Sequence, residues 1–152
     1  MTRPFFFVQL IWILLPVLVM ANQIPKNGTF QESALLFPDC PETPNCVSSL
    51  AQQPARKVDP FPVNGTPAHS LEVLTAIIQS MKRATIVSTS SGRIEAEFRS
   101  ILGFVDDLTL AVSSDGTKIH VRSAARSGSW DLGVNRRRVE RIRKKYLASG
   151  TD

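Results

Sequence analysis

No proline follows Pro67, although eight of the ten in the chain lie between Pro25 and Pro67. Proline lacks an N–H and interrupts helices and central strands, so its absence leaves residues 68–152 free to form both. Histidine and cysteine are scarce, with two of each. A structural metal site needs about four ligands. His69 and His120 are far from each other and from Cys40 and Cys46 in the sequence, so no metal and no cofactor is expected. The chain also lacks a Gly-x-Ser-x-Gly nucleophile elbow and a glycine-rich phosphate loop. No catalytic residue is assigned.

The two cysteines flank Pro41, Glu42, Thr43, Pro44 and Asn45. A thioredoxin-like redox pair is separated by two residues, and this spacing is wider. The pair reads as a disulfide staple, worth roughly 2 kcal/mol in the chain-entropy model, less whatever freedom the enclosed prolines have already removed.

Residues 1–21 differ from the rest. Arg3 precedes an apolar run over residues 5–20, broken by Gln9 and Pro16, and Val19, Met20 and Ala21 suit a signal peptidase. The segment reads as a secretory signal peptide or, alternatively, as an uncleaved membrane anchor. Either assignment exports the remainder, to the periplasm or to a membrane-anchored position facing it in a bacterial source. The single basic residue before the run fits an inside N-terminus.

Beyond it the chain has two characters. Residues 22–67 form an extended, proline-punctuated arm that cannot build a core alone. Residues 68–152 carry the core. Ser70 is placed to cap a helix running to Arg83, with Leu71, Leu74, Ile77, Ile78 and Met81 as its buried stripe. Four strands follow over residues 84–90, 93–99, 104–112 and 118–124, with hairpin turns at Ser91-Gly92 and Asp115-Gly116. Ile94, Ala96 and Phe98 alternate with Arg93, Glu95, Glu97 and Arg99, which predicts one buried and one wet face. Asn135 is placed to cap the last helix, whose apolar stripe is Val139, Ile142 and Tyr146. Glu140 can pair there with Arg136 or Lys144. The expected fold is α+β, an antiparallel four-stranded meander flanked by two helices (α-β-β-β-β-α) with an extended Pro-rich N-terminal arm.

The Asp115-Gly116 turn fixes a register in which Val112 faces Ile119, Leu110 faces Val121 and Leu108 faces Ser123. Asp106 then points to the core beside Phe104 and Leu108. It needs a partner there, either backbone N–H groups or an arginine from the last helix. Asp107 points outward between its diagonal neighbours Arg122 and Arg126. Adjacent strand residues face opposite ways, so the two aspartates are not a catalytic pair. His120 also lies outward. Asp106 and Asp131 are read as structural.

Residues 122–146 hold nine of the eighteen Lys and Arg residues and two acids, Asp131 and Glu140. For an exported chain the partner of such a patch is an anionic small molecule, an acidic protein or an anionic membrane surface, and no nucleic acid is expected. The anion- or partner-binding residues named by this pattern are Arg122, Arg126, Asp107, Asn135, Arg136 and Arg137, with Gly128 and Gly133 shaping the loop between them. The leading expectation is a non-enzymatic envelope domain. A hydrolase acting on an anionic substrate through Asp106, Asp107 or His120 is the alternative. So is a purely structural or protein-interaction module whose arginines hold the fold together. Laying the basic helix on anionic lipid is opposed by the need of its apolar stripe for the core. Asn27-Gly28-Thr29 and Asn64-Gly65-Thr66 fit a glycosylation acceptor, relevant only in a eukaryotic source.

Three stretches together resemble the family called domain of unknown function 1499. They are Cys40-Pro41-Glu42-Thr43-Pro44-Asn45-Cys46-Val47-Ser48-Ser49, then Gly103-Phe104-Val105-Asp106-Asp107, then Arg122-Ser123-Ala124-Ala125-Arg126 with the run from Asp131 through Glu140. The resemblance covers about residues 40–146. It implies a mostly bacterial source, often with an N-terminal signal or membrane segment, and it implies no activity. Ala125 stands where the family usually has Ser. Arg122, Arg126, Asp131, Asn135 and the Arg136, Arg137, Arg138 run match.

Overall fold

The computed structural model describes residues 36–150. The expected signal or anchor, the first part of the arm and the Asn27 triplet lie outside the described residues. Among the described residues, no helix is long and apolar enough to cross a membrane.

The fold is α+β. Two short strands come from the arm, β1 (Cys46–Ser48) and β2 (Phe61–Pro62). Helix α1 (Pro67–Gln79) follows, then β3 (Ala84–Ser90), β4 (Arg93–Arg99), β5 (Val105–Val112), β6 (Lys118–Ala125) and α2 (Val134–Ser149). The paired strands are antiparallel, in the order β1-β6-β5-β4-β3, with β2 beside β1 on the same edge of β6. The expected meander is β3 to β6, in the expected register: Leu108 faces Ser123, Leu110 faces Val121 and Val112 faces Ile119.

The sheet has six strands rather than four because β6 would otherwise be an open edge. The arm covers it. Cys46 pairs with Ala124 and Phe61 with Ile119. Between them Ser49 N–H donates to the Val121 carbonyl at 2.9 Å, and its hydroxyl accepts from Val121 N–H at 3.0 Å. A side chain thus stands in for a ladder carbonyl. Pro54, Pro60 and Pro62 keep these strands short, which is why the arm shows no period of two. Val47, Val58 and Phe61 then join Leu74 and Ile78 of α1, Leu108, Leu110 and Val121 of the sheet, and Val139, Ile142 and Tyr146 of α2 in one core.

Both helix starts differ from expectation. Helix α1 is capped by Thr66, whose hydroxyl accepts from His69 N–H at 3.1 Å, with Pro67 in the first turn where its missing N–H costs nothing. Ser70 is buried inside the helix and hydrogen-bonds Asn64, and the helix ends at Gln79 rather than Arg83. Asn135 does not cap α2. Gly133, at φ 74°, precedes the first helical residue, and the Asp131 carboxylate accepts from the N–H groups of Gly133 (2.8 Å) and Asn135 (2.9 Å). Glu140 pairs with Arg143 at 3.1 Å, not with Arg136 or Lys144.

The outer sheet face is not simply wet. Ala111, His120 and Ala124 on it are buried, as is Phe37. Arg93 donates to the Leu36 carbonyl, which brings the start of the described chain to this face. Cys40 and Cys46 form a disulfide with Cα atoms 5.6 Å apart. Phe104, expected in the core, is exposed, because β5 begins one residue later.

Candidate functional site

Helix α2 divides its basic residues among three directions. Arg138 points inward with Asn135, Val139, Ile142 and Tyr146. Its Nη2 donates to Asp106 Oδ2 at 2.5 Å, its Nη1 donates to Asn135 Oδ1 at 2.5 Å and to Ser123 Oγ at 3.2 Å, and its guanidinium carbon lies 4.5 Å from the Phe98 ring centre. The partner expected for Asp106 thus comes from the last helix. Arg136 and Arg143 face the arm. Arg136 binds the carbonyls of Ala55 and Lys57, and Arg143 binds those of Asp59 and Pro60 and stacks over Phe61. These arginines satisfy carbonyls that irregular, proline-broken backbone leaves without ladder partners.

Arg137, Arg141 and Lys145 face a third way. Their four-residue spacing puts them on one helix face. They line a cleft of about 510 Å³ between α2, the end of α1 and the far end of β4. Lys82 and Arg99 complete its basic lining, Ser80, Met81, Phe98, Ser100 and Val134 supply the remainder, and Asp106 with Arg138 lies at its floor. Asp106 is the one acid among the lining residues, and Arg138 already neutralises it. Arg99 is held by Glu97 at 3.2 Å. Among the described residues Lys82, Arg137, Arg141 and Lys145 have no carboxylate within ion-pair distance. Arg137 is steadied by the Leu132 carbonyl at 2.7 Å and Lys145 by the Ser80 hydroxyl at 3.2 Å. Four cations without a paired carboxylate around a concave surface give the cleft a positive local field.

The residues named from sequence do not gather into one site. Arg126 reaches across the outer face to Asp107 (Nη2 to Oδ1, 2.7 Å) and to Glu97 (Nη2 to Oε1, 2.5 Å). Those two carboxylates push its guanidinium further toward the charged form and leave it no surplus charge for a ligand. Arg122 makes no direct pair with Asp107. It is half-buried, and burial pulls its guanidinium below the usual arginine value against the field of Asp107 and Asp39. Its Nε is a buried donor without a partner among the described residues. Asn135 is wholly buried. Its amide donates to the Asn45 carbonyl at 3.2 Å and to Asp131 at 2.8 Å, and its oxygen accepts from Ser123 at 2.6 Å. His120 is buried with Nδ1 3.1 Å from the Ser49 hydroxyl. Of the six binding residues expected, Arg137 alone lines the cleft.

The family model described as "Protein of unknown function (DUF1499)" matches residues 37–146. The chain belongs to this family. No curated protein matches it. In this DUF1499 chain the match runs from Phe37, buried next to the Leu36 carbonyl that Arg93 holds, to Tyr146, the last core residue of α2. The DUF1499 match therefore takes in both the described part of the arm and the sheet and helices that it packs against. The resembling stretches of sequence serve that packing. Asn45 takes the Ala125 N–H on its carbonyl at 3.0 Å and donates to the Gly128 carbonyl, tying the cysteine loop to the β6–α2 loop.

Proposed function

We propose that this domain binds an anionic ligand in the cleft lined by Arg137, Arg141, Lys82 and Lys145, and acts as a binding module on the outer side of the membrane. The observation that carries this is the charge imbalance of the cleft, whose single acid is already paired. A phosphate- or carboxylate-bearing group suits arginine forks. Export is supported by the apolar segment over residues 5–20 and is in keeping with the disulfide.

The test is titration with inorganic phosphate and with citrate, followed by calorimetry. Arg137→Ala with Arg141→Ala should abolish binding, whereas Arg126→Ala should leave it unchanged. Binding lost with Arg126→Ala but kept in the double variant would move the site to the outer face.

One observation favours a hydrolase: Asp106 lies in the concave site. Its engagement by Arg138 weighs against it, as does the state of Ser80, the serine of the cleft nearest a basic group. Ser80 is beside Lys145, but its hydroxyl donates to the Ile77 carbonyl at 2.7 Å and Lys145 is exposed. A serine so engaged, next to a solvated ammonium, lacks the base that nucleophilic catalysis needs.

A further inference from the structure

Two apolar loops flank the mouth of the cleft. The β4–β5 loop presents Ile101, Leu102 and Phe104, and the loop before α2 presents Trp130 and Leu132. Ile101 and Leu102 are 81% and 82% exposed, and Trp130 is 72% exposed. Ser100 and Val134, adjoining these loops, both line the cleft. Arg126 N–H binds the Val105 carbonyl at 2.9 Å, so the loops stand together at one end of the sheet. Scattered exposed leucines need no explanation, but a cluster of this size beside a charged site does. Leu132 adds a second sign. Its backbone is left-handed at φ 53°, a conformation unfavourable for leucine, and its side chain is 63% exposed rather than packed.

We propose that this end of the domain docks on an anionic lipid surface, with the two loops entering the interfacial layer and the cleft arginines holding headgroup phosphates. This rests on the anion-binding reading above and specifies the source of the anion. A lipid surface presents anionic phosphate directly beside hydrocarbon, and the chain presents a basic cleft whose lining residues Ser100 and Val134 adjoin the loops that carry exposed Leu102 and Trp130. An acidic protein patch or a free anion complements the arginines alone. Tryptophan and aliphatic side chains next to arginine are the usual composition of an interfacial contact. The apolar stripe of α2 stays in the core, so the loops and not the helix make the insertion.

The experiment uses the full chain with Trp12→Phe, which leaves Trp130 as its one tryptophan. Vesicles of phosphatidylcholine, with or without phosphatidylglycerol, carry acyl-brominated lipid. Trp130 quenching reports contact at this end of the domain wherever else the chain is tethered. Strong quenching is expected on the anionic vesicles and little on phosphatidylcholine alone. Arg137→Ala with Arg141→Ala should shift the ratio of inserted to free Trp130 about thirtyfold toward free, from the usual contribution of two basic residues at an anionic surface. Leu102→Asp should abolish quenching and leave calorimetric phosphate binding intact. Trp130 left unquenched on anionic vesicles, with phosphate binding intact, overturns the lipid inference and leaves the anion site standing. Equal quenching on both vesicle types also overturns it. Loss of phosphate binding in the unsubstituted protein overturns both.

Discussion

Arg138 donates to Asp106 at 2.5 Å while lying over the Phe98 ring, so one guanidinium joins α2 to both β5 and β4 beneath the cleft. Asp106→Ala strands that guanidinium in a largely buried place. Removing one partner of a buried pair costs several kcal/mol, and the opening of this pair to the cleft reduces the loss to about 2–4 kcal/mol. Asp106→Leu with Arg138→Met should recover most of it. Urea denaturation midpoints check both, and a double variant no more stable than Asp106→Ala would show that the pair is not what holds the helix here.

The meander was legible because β4 alternates cleanly and the turns between its strands carry Gly. Asp106 was readable as inward-facing from register alone. The two arm strands were not, since their partners are fixed by the open edge of β6 and not by any local period. Asn135 looked like a cap because capping chemistry favours Asn as it does Asp, and the sequence does not say which of Asp131 and Asn135 the helix excludes. The cleft had a signal that charge counting hid. Arg137, Arg141 and Lys145 share one face at four-residue spacing, whereas Arg136 and Arg143 share another. Which face meets carbonyls of the arm and which meets solvent is decided by the tertiary fold.

Asp131 makes the stability of α2 pH-dependent. Burial pushes its carboxyl up, but the N–H and side-chain amide of Asn135 and the N–H of Gly133 outweigh this, so its folded value lies below 3.8. A depressed value means that the stabilisation is present above 3.8 and is lost as pH falls through the folded value. Both carboxylate oxygens accept, one from Gly133 and the other from Asn135, and an amide keeps only one of them, so Asp131→Asn should cost about 1 kcal/mol at neutral pH. The gap between variant and parent should close in acid. Carboxyl NMR titration separates this group from Asp115, which the hydroxyls of Ser113 and Thr117 and the Thr117 N–H hold at about 2.

Arg126→Ala should leave the urea midpoint nearly unchanged, despite three short contacts to Asp107 and Glu97, because the Arg126 side chain is half-exposed and water can replace it. Whatever loss is seen should shrink as salt is raised. A large, salt-independent loss would mark the outer cluster as a true clamp between β4, β5 and the end of β6.

Asn135→Ala should be far more damaging than its single polar side chain suggests. Asn135 accepts from Ser123 and Arg138 and donates to Asn45, all away from water, and it also donates to the partly buried Asp131. Alanine leaves several of these groups without partners at once, and the expected loss is about 2–4 kcal/mol. Asn135→Asp discriminates between the two sides of the amide. It keeps the acceptor for Ser123 and Arg138 but loses the donor to the Asn45 carbonyl and sets a second carboxylate beside Asp131. If the acceptor side dominates, Asn135→Asp stays close to the parent at neutral pH. If the donor side dominates, it falls with Asn135→Ala, and hydrogen exchange at Ala125, whose N–H shares the Asn45 carbonyl at 3.0 Å, accelerates in both.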